Sequence, residues 1–298
     1  MASALQNPRL KPPSLQPGDT VGIVAPASNI KRELLEKGCA VLRELGYKPF
    51  YFDSILDQDL YFAGSVERRA RELEAMFARD DVRAIICARG GYGANYLLPA
   101  LNPQTIRSHP KIFMGYSDIT TLLTCFVDSG GFVTFHGPMV TKDLALAGGV
   151  DLASLQAALT GLSQWELALG ADSGVKPLVE GEAEGVLYGG CLSMLVASLG
   201  TPWEIRTNGT ILFVEDISAK PYQIDRMLMQ LKLAGKLRGV RGIVFGEMLD
   251  CLQTQNQNQG YTLEEVILRV LGDLNLPIAF GLRSGHVSRQ NITLPIGV

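Results

Sequence analysis

The chain has 298 residues, 47% hydrophobic and 19% charged, with 32 glycines. At roughly 100–200 residues per domain this makes about two domains with a real core, and the composition excludes disorder, collagen-like repeats and coiled coil. Lysine and arginine total 27 against 30 acidic residues, a net charge of -3, so neither nucleic acid nor an anionic membrane is expected as a partner.

The apolar run Thr20 to Pro26 follows the turn Pro17-Gly18-Asp19 and reads as a buried strand. A helical pattern through Leu34, Leu35, Val41, Leu42 and Leu45 closes at Gly46. Strand-like Pro49 to Phe52 comes next, then a helix from Ser65 to Phe77 with Glu67, Arg68, Arg69 and Glu72 expected on its exposed face. Val82 to Ala88 reads as strand, Ala94 to Leu98 as a short helix, Lys111 to Tyr116 as strand and Asp118 to Val127 as helix. Such alternation predicts a parallel sheet covered on both faces.

The texture changes after Val133 to Pro138, where residues 141–182 hold one predicted helix, Asp151 to Leu159, among Gly, Ser and Asp. A second apolar section follows, with strands at Gly185 to Tyr188, Thr210 to Glu215 and Val240 to Phe245. Its helices are predicted at Cys191 to Leu199, Tyr222 to Ala234 and Thr262 to Leu274, with a polar loop Gln253 to Gly260 and end strands near Ile278 and Ile292. The predicted fold class is α/β in two domains: a parallel-sheet α/β/α domain over residues 1–145, a connector over 146–182, and a smaller α/β domain over 183–298. The five cysteines, Cys39, Cys87, Cys125, Cys191 and Cys251, are far apart. They read as buried thiols in a reducing compartment, neither a disulfide framework nor a zinc site. Residues 1–18 lack the apolar segment of a secretory signal, and no later run approaches the length of a membrane span. A cytoplasmic protein is the expectation.

Open parallel sheets take ligands at the carboxyl ends of their strands, so the strand-to-helix turns are where chemistry is expected. Ala88-Arg-Gly-Gly-Tyr-Gly93 matches neither G-x-G-x-x-G nor a P-loop. Its N–H groups suit an oxyanion better than a nucleotide, and a plain tight turn is the alternative. Gly115-Tyr-Ser-Asp-Ile119 sets Ser117 at a sharp turn with its hydroxyl at the top of the sheet. The next N–H, that of Asp118, can there face a developing oxyanion. The second glycine of G-x-S-x-G is absent, and capping of the following helix is the other use for Ser117.

A serine nucleophile needs a base. Of three histidines, His109 beside Pro110 reads as solvated, and His136 at a strand end is either a satisfied core histidine or a site residue. His286, next to Gly285 just past a strand, is the one free to reach a cleft. A carboxylate must then orient the imidazole. Glu215 stands at the end of an apolar strand, where an acid has no packing reason to be. Asp216 is its rival, Glu182 and Glu184 are further candidates, and charge placement ahead of the helix at Tyr222 is the alternative.

These motifs together resemble the LD-carboxypeptidases, serine peptidases that trim the terminal D-alanine from muropeptides and share a fold with the microcin-immunity peptidases. The resemblance runs from Leu15–Pro26 through Ala88–Gly93, Gly115–Asp118, His136-Gly-Pro138, Gly189-Gly190, Val214-Glu-Asp216 and Gly242–Gly246 to Ser284-Gly-His286. It implies Ser117 as nucleophile, His286 as general base and then acid, Glu215 as orienting carboxylate, and an oxyanion hole from the N–H groups of Asp118 and Gly91. It further implies a two-domain α/β homodimer with the site between domains, a muropeptide or small peptide substrate, and neither cofactor nor metal. Cys191 stands where the family usually has asparagine. Arg89, Tyr92 and Arg283, in or near the cleft turns, are candidate substrate contacts, with solvated surface arginines as the alternative. Two rival readings are an amidase acting on a peptide-nucleotide antibiotic, which would clamp the base with Trp203 or Trp165, and a non-catalytic binding protein for small solutes.

Overall fold

The computed structural model describes residues 8–161, 166–167, 173–251 and 261–298. In chain order the first strands and helices are β1 (Thr20–Val24), α1 (Arg32–Glu44), β2 (Lys48–Phe50), α2 (Val66–Ala78) and β3 (Val82–Cys87). They continue as α3 (Pro103–Ser108), β4 (Ile112–Gly115), α4 (Thr120–Cys125), β5 (Thr134–His136) and α5 (Leu152–Thr160). The remainder is β6 (Lys176–Val179), β7 (Val186–Cys191), α6 (Leu192–Ala197), β8 (Thr210–Glu215), α7 (Pro221–Leu233), β9 (Gly242–Gly246), α8 (Leu263–Leu271), β10 (Ile278–Leu282) and β11 (Leu294–Ile296).

Two sheets result. The first is six-stranded in the order β11-β5-β4-β3-β1-β2, and the second five-stranded in the order β6-β10-β9-β8-β7. The only antiparallel pairs among these strands are β11 with β5 and β6 with β10. The β3 residues show why the first sheet is covered twice. Ala84 and Ile86 pack with Leu35 and Leu42 of α1 and Leu155 of α5 on one face. Ile85 and Cys87 pack with Leu73 and Phe77 of α2 and Leu122 of α4 on the other. A stretch buried on both faces is apolar at successive positions, and Ala84 to Cys87 is that continuous run, Arg83 near the strand's start being exposed. In the second sheet, α6, α7 and α8 cover one face through Leu195, Leu228 and Ile267. The opposite face turns Phe213 toward Leu294 of β11.

Strand β11, in the segment 183–298, pairs with β5 of the first sheet. The connector 146–182 contributes β6, an edge strand of the second sheet. Helix α3, with Asn102 as its cap and a proline in its first turn, is an element that sequence periodicity missed, being too short to show a repeat. The helix expected over 118–127 is broken into a 3-10 turn Ser117–Ile119, α4, and a π-helical turn Phe126–Gly130. The Gln253 to Gly260 loop lies outside the described residues. Arg68 and Arg69 are 8% and 2% exposed, not solvated. Arg69 is drawn inward because its guanidinium donates to the carbonyls of Gly64, Pro26 and Gly93.

The strand ends of the first sheet are braced from α1. A Cβ at Gly38 would strike the carbonyl and side chain of Val140, while the Val140 N–H donates to Cys87 O at the end of β3. Gly38→Ala is therefore expected to cost about 1–3 kcal/mol by overpacking, read as a lowered urea midpoint. An unchanged midpoint would show that the Val140 segment yields freely.

Candidate active site

Strands β3 and β4 are neighbours, so their terminal turns lie side by side. Ser117 leaves β4 with φ +64°, in the left-handed region, and it caps neither following turn, Tyr116 and Ile119 standing at those N-cap positions. Gly90 of the adjoining turn lies against it, and a Cβ there would come within 2.9 Å of Ser117 Cβ. The close approach of the two turns thus depends on Gly90 having no side chain. Gly91 has φ +100°, and its turn is fastened to the end of β1 by Ser28. The Ser28 N–H donates to Gly90 O at 3.2 Å, and the Tyr92 N–H donates to Ser28 Oγ at 3.1 Å.

The second sheet supplies the carboxylate and the imidazole. Glu215 ends β8 and is fully buried. Its Oε2 lies 2.7 Å from His286 Nδ1 and accepts the His286 backbone N–H at 3.1 Å. Space for this carboxylate comes from two glycines. A Cβ on Gly246 would sit 2.6 Å from Glu215 Cβ, and one on Gly285 would sit 2.6 Å from Glu215 Cδ. Buried Asn291 holds Gly285 from both sides, accepting its N–H at 3.0 Å and donating to its carbonyl at 3.2 Å.

The rivals are occupied or elsewhere. Asp216 accepts the N–H groups of Ser193 and Ile217, both at 2.8 Å, so its charge serves the first turn of α6. Glu182 and Glu184 are exposed ahead of β7, at the sheet edge opposite the strand ends. His109 faces the carbonyl of Thr105 on its own helix α3.

The His286 ring packs edge-on against Tyr116, with centroids 5.1 Å apart and planes at 85°. The imidazole thus abuts the residue before Ser117, and Ser117 Oγ has no hydrogen-bond partner among the described residues. Catalytic hydrogen bonds are often loose without substrate. Arg89 donates to Asn29 O at 3.3 Å, Tyr92 joins a ring cluster with Tyr61, Phe62 and Tyr96, and Arg283 is half-buried beside Ser284.

His136, one of two readings in the sequence, is fully buried behind the pair. Its Nδ1 lies 2.9 Å from Ser284 Oγ, and its Nε2 faces Glu215 Oε1 at 3.7 Å. Neither Nε2 nor Oε1 has a hydrogen-bond partner among the described residues. Its strand-end position was the sequence signal for it; Asn291 and Ser284 carried none, because their partners are non-local. Burial pushes the Glu215 carboxyl up, but the charge and hydrogen bonds of His286, with His136 facing it at 3.7 Å, outweigh it and hold the group at about 2. Burial pushes His286 down, yet the Glu215 charge and hydrogen bond, with Asp216 beyond, raise it above its ordinary 6.5 against an opposing Lys142. The arrangement offers an anion-oriented imidazole packed against the residue before a serine, with two backbone turns next to that serine, a set of groups suited to acyl transfer. Among the described residues, no group of three or more His, Cys, Asp or Glu is placed to hold a metal ion.

The LD-carboxypeptidase N-terminal domain matches residues 21–137, and the LD-carboxypeptidase C-terminal domain matches residues 184–298. The probable murein peptide carboxypeptidase of Bacillus subtilis is 40% identical, over 96% of this chain and 89% of that protein. Among solved structures, the muramoyltetrapeptide carboxypeptidase from Oxalobacter formigenes superposes with TM-score 0.78 at 29% identity, covering 93% of this chain and 92% of that one. The microcin C7 self-immunity protein MccF, of Escherichia coli, superposes with TM-score 0.88 at 25% identity, covering 97% and 94%.

A non-glycine residue in the left-handed region costs roughly 1–2 kcal/mol. Ser117→Gly is therefore expected to raise unfolding stability by up to about 1 kcal/mol, measured by denaturant titration. A lowered stability would mean that the serine side chain, and not backbone strain, dominates at that turn.

Proposed function

The chain belongs to the LD-carboxypeptidase family and is a serine-type carboxypeptidase, and on that premise we propose that it removes the terminal D-alanine from muropeptide tetrapeptide stems in the cytoplasm. The observation that carries this reading is the buried Glu215–His286 pair, 2.7 Å apart, set against the strand-end turn that bears Ser117.

In this mechanism Ser117 Oγ attacks the carbonyl of the L,D-peptide bond while His286 Nε2 takes its proton, Nδ1 being held by Glu215. The N–H groups of Asp118 and Gly91 receive the oxyanion, each such donor being worth about 2.7–4 kcal/mol of barrier. The tetrahedral intermediate collapses as His286 returns the proton to the amine of D-alanine, breaking the C–N bond. Water, activated by the same imidazole, then hydrolyses the acyl-enzyme. Arg89, Tyr92 and Arg283 contact the charged stem. All five cysteines are free, in keeping with a reducing compartment, although Cys125 is only half-buried. The protein acts as a homodimer in this reading.

The likeness to MccF favours one rival, cleavage of an amide in a peptide-nucleotide antibiotic. Trp203 gives that rival little support, since it lies in the loop leading from α6 to the start of β8, at the sheet end opposite Glu215. Trp165 lies outside the described residues. Incubation with an L,D-linked tetrapeptide and with aspartyl sulfamoyl adenosine, followed by mass spectrometry, separates the two. Wild type should release D-alanine from the first, Ser117→Ala should release none, and turnover of the nucleoside alone would replace this reading with its rival.

The acid–base assignment makes a separate prediction. His286 must be neutral to accept a proton, and its value is raised, so kcat/KM should fall with acidification along a limb centred above pH 6.5. Glu215→Gln removes the anion that raises it. That variant should move the limb to lower pH and reduce kcat by about 10³–10⁴-fold; an unmoved limb would remove Glu215 from the orienting role.

A further inference from the structure

The turn that carries Gly91 holds three glycines in four positions, Gly90, Gly91 and Gly93, and glycine has the most backbone freedom to lose. An oxyanion donor on such a turn needs an external fixture, because misplacement of about 1 Å can cost 10²-fold in rate. Two buried ions reach the same peptide unit of this turn. Arg69 Nη1 donates to Gly93 O at 2.9 Å, and Asp118 Oδ2 accepts the Ala94 N–H at 2.7 Å. The carbonyl of Gly93 and the N–H of Ala94 are the two ends of one amide plane, so a cation grips its negative end and an anion its positive end.

Both side chains are 2% exposed, and among the described residues no direct ion pair joins them. Arg69 also donates to Pro26 O at 2.6 Å and Gly64 O at 3.1 Å, fixing the amide to the segments after β1 and before α2. Asp118 follows Ser117, and its own N–H is the other oxyanion donor of the proposed mechanism. Burial pushes the Asp118 carboxyl up, to about 6, against the pull of the Ala94 N–H, Arg69 and the Gly93 N–H. Burying an ion is costly unless it is well bonded; here one bond from each ion goes to the same peptide of the glycine turn, while Arg69 Nη2 and Asp118 Oδ1 have no hydrogen-bond partner among the described residues.

We infer that Asp118 and Arg69 are positioning residues that clamp the Gly93–Ala94 peptide and thereby hold the Gly91 donor in register with the Asp118 donor. The inference rests on the proposed serine mechanism, but it is read with two probes, only one of which depends on the substrate. A fluorophosphonate adds to a serine nucleophile through the same oxyanion site, with Ser117 Oγ displacing fluoride as its proton passes to His286. Labelling is followed by intact mass, and tetrapeptide turnover gives kcat and KM.

For folded full-length Asp118→Ala, labelling and kcat should fall together by about 10- to 100-fold, with KM changed less than about threefold. Asp118→Asn keeps an oxygen for Ala94 and should recover most of this loss, remaining about two- to fivefold below wild type. Labelling and kcat at wild-type rates in a folded variant, or a rise in KM alone, would overturn the clamp. Should Asp118→Ala not fold, Asp118→Asn decides by the same readouts, and unchanged rates overturn the inference. Wild-type labelling without tetrapeptide turnover would count against the proposed substrate and leave the clamp to be judged by labelling alone.

Discussion

The structure turns on one anion without access to water. Glu215 is completely buried, and a lone carboxylate in that position would protonate to escape the cost of desolvation. It stays ionised because His286 bonds it and His136 faces it, one imidazole from each sheet. The coupling has a definite pH window. The Glu215 value lies below its ordinary 4.5, so its contribution to stability is present above 4.5 and is lost as pH falls toward about 2. The His286 value lies above its ordinary 6.5, so its contribution is complete below 6.5 and is lost as pH rises through the raised value. The pair is held most firmly between those limits, whereas in the proposed mechanism the base is active only beyond the upper one. Orientation and activity therefore pull in opposite directions along the pH axis, and a raised value is what strong orientation by an anion entails.

Much of the remaining architecture makes room for that pair. Gly246 and Gly285 leave the volume that the carboxylate fills, and Gly90 lets the turn after β3 close on Ser117. Asn291 then fixes Gly285 through both of its backbone groups. None of these residues has a proton to transfer. They set distances, and in acyl transfer distances are a large share of the rate.

The sheets, their order of appearance and the strand-end turns were legible in the sequence because they follow from local pattern. Apolar runs such as Ile211 to Val214 have the period and length of buried strands, and Glu215 stands out at the end of one since nothing in packing favours an acid there. What escaped was set by contacts remote along the chain. Arg69 lies on a helix face that looks solvated, and only the carbonyls of Gly64, Pro26 and Gly93, converging from three loops, explain its burial. Likewise β11 is three residues long, with no periodicity of its own. Its pairing with β5 is fixed by the sheet edge it meets. His136 had two readings in the sequence, and the choice between them depends on a carboxylate from the other sheet.

That last strand also limits how the molecule can move. β11 pairs with β5 in the first sheet, and the next residues bond into the second: the Leu187 N–H donates to Val298 O at 2.6 Å, and the Gly297 N–H donates to Leu187 O at 2.8 Å. Two further bonds cross nearby, from Cys191 N–H to Thr120 Oγ1 at 3.0 Å and from Tyr188 OH to Asp128 Oδ2 at 2.7 Å. Opening the sheets as rigid bodies would break all four, each bond being worth about 0.5–1.5 kcal/mol net once its partners meet water. These bonds oppose a hinge motion between the two sheets. In the proposed mechanism the nucleophile and oxyanion donors on one sheet meet the base and carboxylate on the other across this seam, so adaptation to a substrate falls to the exposed turn around Tyr92.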